Sequence, residues 1–174
     1  MLDPTELLTL AQNLSRHPSA SPGVLSTAVP MEAELRRAVS TAYYALFHAV
    51  LRSAADRFVG MAQSATAAYS LVYRGFDHFY MNKVCGNLQS PNLDKPTKKS
   101  LKRALVSQET RDFATAFVEL QANRHLADYD PTESFAHIDV LSLVDTADVG
   151  IQAFIAIPAD EQLDILAFLL VKSR

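Results

Sequence analysis

Side chains able to hold phosphate or move a proton recur at helical spacing between Arg37 and His48. Arg37, Ser40, Tyr44 and His48 follow one another at intervals of three and four. On a helix such residues stack in one row, so a guanidinium, a hydroxyl, a phenol and an imidazole would share a face. A second group is Arg124-His125-Leu126-Ala127-Asp128-Tyr129-Asp130-Pro131, and a third is Tyr73-Arg74-Gly75-Phe76-Asp77-His78. Arg37 and Arg124 offer planar forks suited to phosphate. Tyr43, Tyr44 and Tyr129 can stack on bases. His48, His78 and His125 carry imidazoles that titrate near neutrality.

The same residues have structural readings. Arg37 or Arg124 can pair with Asp128 or Asp130 inside a bundle, tying the helix around Arg37 to the segment around Arg124. Tyrosines commonly pack with only the phenol tip hydrogen-bonded. Asp128 and Asp130, just before Pro131, suit a turn better than a divalent-ion site. No metal and no other cofactor is expected. Lys95, Lys98, Lys99, Lys102 and Arg103 form the basic cluster of the chain, with no acid between Lys95 and Arg103. It reads either as a solvated loop or as a phosphate-tracking patch with strong salt dependence.

These residues must be positioned by helices. Leu35, Val39, Ala42, Leu46 and Ala49 mark the buried side of a long helix from about residue 31 to 58, ended by Gly60. A first helix runs from Asp3-Pro4 to about Arg16, with Asp3 as N-cap. His17-Pro18, Ser21-Pro22-Gly23 and Pro30 separate the two. A third helix is predicted over about 62–84, with Tyr69, Tyr73, Phe76 and Tyr80 as a core stripe. A loop through Ser90-Pro91 and Lys95-Pro96 follows, with a helical lead-in over about 99–105. A helix over about 110–128 buries Phe113, Ala116, Phe117 and Leu120. Another, over about 133–157, buries Ile138, Leu141, Val144, Ile151 and Phe154 or Ile155. Pro158 precedes a last one over about 159–171 with Leu163, Leu166 and Leu170 on one side. The expected architecture is all-α, an up-and-down bundle of about five to six helices forming one domain over residues 1–174.

Composition supports this. Hydrophobic residues make up 49% of 174 residues, enough for a packed core, and five glycines with no tryptophan favour helices. A net charge of −3 gives no global attraction to nucleic acid, so any such contact needs a local patch. Cys85 is the sole cysteine, which excludes an internal disulfide and a cysteine-based zinc site. A reducing, cytoplasmic setting is expected, with no secretory signal and no membrane span. There is no Gly-rich phosphate loop, Gly-x-Ser-x-Gly elbow or His-Glu-x-x-His.

The Arg37-x-x-Ser40-x-x-Tyr43-Tyr44-Ala45-x-Phe47-His48 segment, the Gly75–His78 region and the Arg124–Asp130 segment together resemble the HEPN (higher eukaryote and prokaryote nucleotide-binding) family, small stand-alone branch. The resemblance covers about residues 34–155, flanked by an N-terminal and a C-terminal helix. It implies a homodimeric bundle linked to RNA or nucleotides. Many members are metal-independent ribonucleases of toxin–antitoxin or defence-type systems, often with a nucleotidyltransferase-like partner protein. Their signature is an arginine followed, after four to six residues, by a histidine. Here the slots after Arg124 hold Tyr129, Asp130 and Pro131, and the usual pair is absent. The catalytic candidates are therefore His48, Arg124 and Tyr129. The RNA- or nucleotide-binding candidates are Arg37, Ser40, Tyr44, His78, Asp128, Lys98, Lys99, Lys102 and Arg103. The alternative is a non-catalytic dimerisation or protein-interaction module.

Overall fold

In a computed structural model describing residues 2–16 and 31–171, the chain is all-helical, with eight α-helices and one short 3-10 turn. The helices are α1 (Pro4–Ser15), α2 (Glu32–Phe58), α3 (Ala67–Tyr73), α4 (His78–Leu88), α5 (Lys95–Leu101), α6 (Gln108–Tyr129), α7 (His137–Ala156) and α8 (Ala159–Leu170). The expected breaks at His17-Pro18, Ser21-Pro22-Gly23 and Pro30 lie outside the described residues.

Four long elements make an up-and-down bundle. α2 is central, because its residues Leu35, Ala38, Val39, Ala42, Tyr43, Ala45, Leu46 and Val50 are buried on more than one side. The N-terminal end of α2 meets the C-terminal end of α6 through Arg36 and Ser40, so these helices run antiparallel. Arg57 near the end of α2 reaches Ala159 O just past α7, and Asp3 of α1 pairs with Arg52 at 2.9 Å. α1 therefore runs against α2, and α7 runs with it. α4 lies antiparallel along α6, with Gln121 Nε2 donating to His78 O at 2.9 Å.

Where α2, α6 and α7 cross, a side chain on Gly150 has no room. A Cβ there would stand 2.7 Å from Ala116 Cβ and 3.2 Å from Leu46 Cδ2. Phe113, Ala116, Phe117 and Leu120 are buried as the spacing predicts.

The helix predicted over about 62–84 is instead broken into a 3-10 turn at Met61–Gln63, α3 and α4. Two local features cause the break. Asp77 caps α4, its carboxylate accepting from Tyr80 N at 2.8 Å, which requires non-helical backbone at the cap. Gly75 lets Leu170 of α8 press against the turn, since a Cβ there would lie 2.7 Å from Leu170 Cδ1. The lead-in expected over 99–105 is a helix at Lys95–Leu101, capped by Asp94 with Pro96 in its first turn. The helix expected from 133 begins at His137, and its buried face is rotated. Val140, Leu143, Val144, Ala147, Ile151 and Phe154 are inside, while Ile138 and Ile155 are exposed. On α8, Ile165, Leu166 and Leu169 are buried and Leu163 is exposed.

Among the described residues no single helix is long and apolar enough to cross a membrane. α7 and α8 pass such a test only together, and they meet at a bend of 114°.

Candidate RNA- or nucleotide-binding site

α2 and α6 bring two of the three sequence segments together. Arg124 is the hub. Its Nη2 donates to the Tyr44 hydroxyl at 2.7 Å, and its Nε lies 2.8 Å from Asp128 Oδ2. That Nε–H is shielded from solvent and not aimed at the oxygen, so the contact is an ion pair without an aligned hydrogen bond. Ser40 Oγ donates to the other Asp128 oxygen. The guanidinium carbon sits 5.4 Å from the Tyr44 ring centre and 5.3 Å from that of Tyr129, within cation–π range. The Arg124 side chain remains 16% exposed and that of Asp128 26%. Tyr129 is 63% exposed, with His125 against it at 5.1 Å between ring centres.

α4 and the break before it add the third segment. The Tyr43 hydroxyl and His78 Nδ1 lie 2.6 Å apart, and the Tyr73 hydroxyl and His48 Nδ1 lie 2.7 Å apart. His78 stacks on Phe47 at 4.0 Å, and Tyr44 contacts both imidazoles at 6.1 Å. Burial raises both phenols, Tyr43 far above the ordinary tyrosine range, with Arg124 opposing at Tyr43 and Arg52 at Tyr73. Burial lowers both imidazoles. His78 adds to this at His48, and Arg124 adds to it at His78, where Asp77 opposes. In the tautomer where each phenol hydroxyl donates to Nδ1, the neutral imidazole accepts there. The ring proton then resides on Nε2. Among the described residues neither Nε2 has a hydrogen-bond partner, and the same holds for Arg124 Nη1. In that tautomer the face of the cluster away from the phenols presents hydrogen-bond donors.

These shifts fix a pH dependence. In the folded protein His48 and His78 bind protons only below their ordinary value of 6.5, whereas the unfolded chain binds them as pH passes 6.5. The unfolded state therefore gains protons first on acidification. Stability is expected to be fully present above pH about 6.5 and to fall as pH drops from there toward the lowered folded values. The lowered carboxylates Asp3, Asp94, Asp130 and Asp160 act only below their ordinary 3.8, leaving the interval between to histidine. Thermal melts across this interval should show the loss, and His48→Gln should reduce it. A melting temperature flat between pH 7 and 5 would contradict the assignment.

Not every predicted site residue converges. Arg37 is exposed and pairs with no carboxylate among the described residues, so it does not tie α2 to α6. Arg36 does so instead. It donates to Ala127 O at 3.0 Å, to Asp130 O at 2.9 Å and to Glu133 O, and pairs with Glu32 at 3.0 Å. The basic cluster is elsewhere. Arg103 is held by Asp160 at 2.6 Å and Asp164 at 2.9 Å at the start of α8, with Glu161 at 3.8 Å, and so is not a free phosphate contact. Lys98, Lys99 and Lys102 lie beside it, near the start of α6. Thr110, which bonds Glu161 there, is ~21 Å along the helix from Arg124 at 1.5 Å per residue. They do not share the Arg124 site.

A groove of about 580 Å³ adjoins the cluster between α4 and α6, where His78, Phe79, Asn82, Gln121 and Arg124 line it. Phe79, Asn82 and Gln121 were not singled out by sequence. A larger groove of about 680 Å³ lies by Asp3, Arg52, Asp56 and Arg57, but its charges are largely matched by Asp3–Arg52 and Tyr69–Asp56 contacts. Among the described residues no group of three or more His, Cys, Asp or Glu side chains is arranged to hold a metal.

Comparison of the chain with protein-family models, with curated proteins and with solved structures finds no match.

Proposed function

We propose that this protein binds RNA or a nucleotide-like anion on the face formed by Arg37, Tyr44, Arg124 and Tyr129, with His78 at its edge. One observation carries the reading. Arg124 is oriented by Tyr44 and Asp128, lies within cation–π range of the Tyr44 and Tyr129 rings, and lines a groove together with His78, while its Nη1 has no hydrogen-bond partner among the described residues. Oriented donors with little freedom to lose suit a phosphate oxygen. Arg37, one turn before Ser40 on α2, adds an exposed cation that pairs with no carboxylate among the described residues.

As an enzyme it would be a metal-independent ribonuclease, with His48, Arg124 and Tyr129 as the reacting groups. The tautomer argues for binding over cleavage. With Nδ1 accepting from a phenol and the proton on Nε2, His48 and His78 present a donor to solvent rather than a base. The HEPN resemblance adds the expectation of a homodimer and of a toxin–antitoxin or defence setting with a nucleotidyltransferase-like partner.

The second reading, a non-catalytic interaction module, draws on the large exposed rings Phe79 and Tyr129, 80% and 63% exposed. The deciding experiment incubates purified protein with labelled RNA in chelator, following binding and cleavage across a salt series. Binding that weakens steeply with salt is expected. Cleavage lost in both Arg124→Ala and His48→Ala would add the enzymatic role. An absence of RNA and nucleotide binding at low salt would leave only the interaction module.

A further inference from the structure

Asn82 stands on α4 one turn after Phe79 and lines the groove opposite Gln121 of α6. Its carboxamide has no hydrogen-bond partner among the described residues and is not sealed from solvent. Gln121 uses Nε2 on His78 O, which leaves its Oε1 open. Phe79 presents a ring that is 80% exposed at the rim. Arg124, its side chain 16% exposed, and His78 line the same groove and supply its cation and imidazole. A groove of this size lies within the ordinary range for small-ligand sites, roughly 300–1,000 Å³. Its parts are those that read a nucleotide: a flat face, an adjacent donor and acceptor, and a cationic end.

We infer that the α4–α6 groove is a nucleobase pocket for adenine, with Phe79 against the ring, Asn82 paired to its edge and Arg124 on the adjoining phosphate. This rests on the anion-binding reading above and names its ligand class. The adenine N6–N7 edge offers one donor beside one acceptor, the complement of a carboxamide, whereas guanine shows two acceptors on that edge. A two-ring base also covers more of Phe79 than a pyrimidine does. Single-stranded RNA exposes such bases for stacking and edge recognition.

The test measures binding of short labelled oligomers of A, C and U by fluorescence anisotropy, with sedimentation of the free protein alongside. The wild type is expected to hold oligo-A about ten-fold more tightly than oligo-U. Asn82→Ala should shrink that difference several-fold, leaving the part due to stacking on Phe79, while retaining binding of all three. Phe79→Ala should weaken oligo-A by about ten-fold or more, as loss of a stacking platform does. Phe79 is exposed and Asn82, half-buried, has no hydrogen-bond partner among the described residues, so melting temperatures should change little. Equal binding of the three oligomers, untouched by Asn82→Ala, would overturn the pocket and leave the anion site standing. Failure to bind any oligomer would remove the anion site as well. A Phe79→Ala variant that sediments as a smaller species, with oligomer binding intact, would make the groove a contact between protein copies and overturn the pocket.

Discussion

Replacing Arg36 with alanine is expected to destabilise the protein by about 3 kcal/mol, the largest effect of any single surface-proximal change. The side chain is only 21% exposed and serves Ala127 O, Asp130 O, Glu133 O and the Glu32 carboxylate. The last carbonyls of a helix have no partners of their own kind. Arg36 supplies donors to those at the end of α6 and to the turn leading to α7, while lying 5.9 Å from the Phe135 ring centre. Removing it leaves half-buried carbonyls unserved. For a chain of this length the change corresponds to a fall in melting temperature of roughly 6–12 °C. Arg36→Lys should recover only part of it, because one ammonium cannot span carbonyls that a fork reaches together. A melting temperature within a degree or two of wild type would show that the turn is held by packing alone.

The second large effect separates Arg124 from Arg37. Arg124→Ala is expected to lower RNA affinity more than ten-fold and stability by about 1–3 kcal/mol, because Tyr44 loses a donor and Asp128 its cation. Arg37→Ala should leave stability within about 0.5 kcal/mol, since the side chain is exposed and unpaired among the described residues. It should nonetheless weaken RNA binding uniformly across sequences and reduce the salt slope by about 0.7, the share of one phosphate contact on a single strand. Affinity and salt slope both unmoved in Arg37→Ala would take that residue off the ligand face. Full RNA binding by a folded Arg124→Ala variant would reduce Arg124 to a strut between α2 and α6.

The helices were legible because apolar periodicity in long segments is dictated by burial, as in Phe113, Ala116, Phe117 and Leu120. The break inside 62–84 was less so. Asp77 was visible as a residue type, and its cap is local; the close approach of Leu170 to Gly75, far along the chain, was not readable beforehand. The meeting of Ser40, Tyr44, Arg124, Asp128 and Tyr129 followed from segments that carried chemistry at helical spacing. The choice of arginine did not. Arg36, Ser40, Tyr43 and Phe47 recur at four, three and four, and this row contains the buried Tyr43 and Phe47. That phase puts Arg36 inward and Arg37 outward, a signal available before any coordinates. The basic cluster misled because charge density says nothing of place. Arg103 is matched by carboxylates on α8 that are distant in sequence.

The crossing at Gly150 reaches beyond packing. With Ala116 and Leu46 packed against the bare backbone of α7, the helices that carry Tyr44 and Arg124 share one close crossing, and a side chain at position 150 would wedge them apart. The spacing between those two groups is therefore inherited from the opposite flank of the bundle. A Gly150→Ala variant is expected to alter the spacing of Tyr44 and Arg124 without touching either residue.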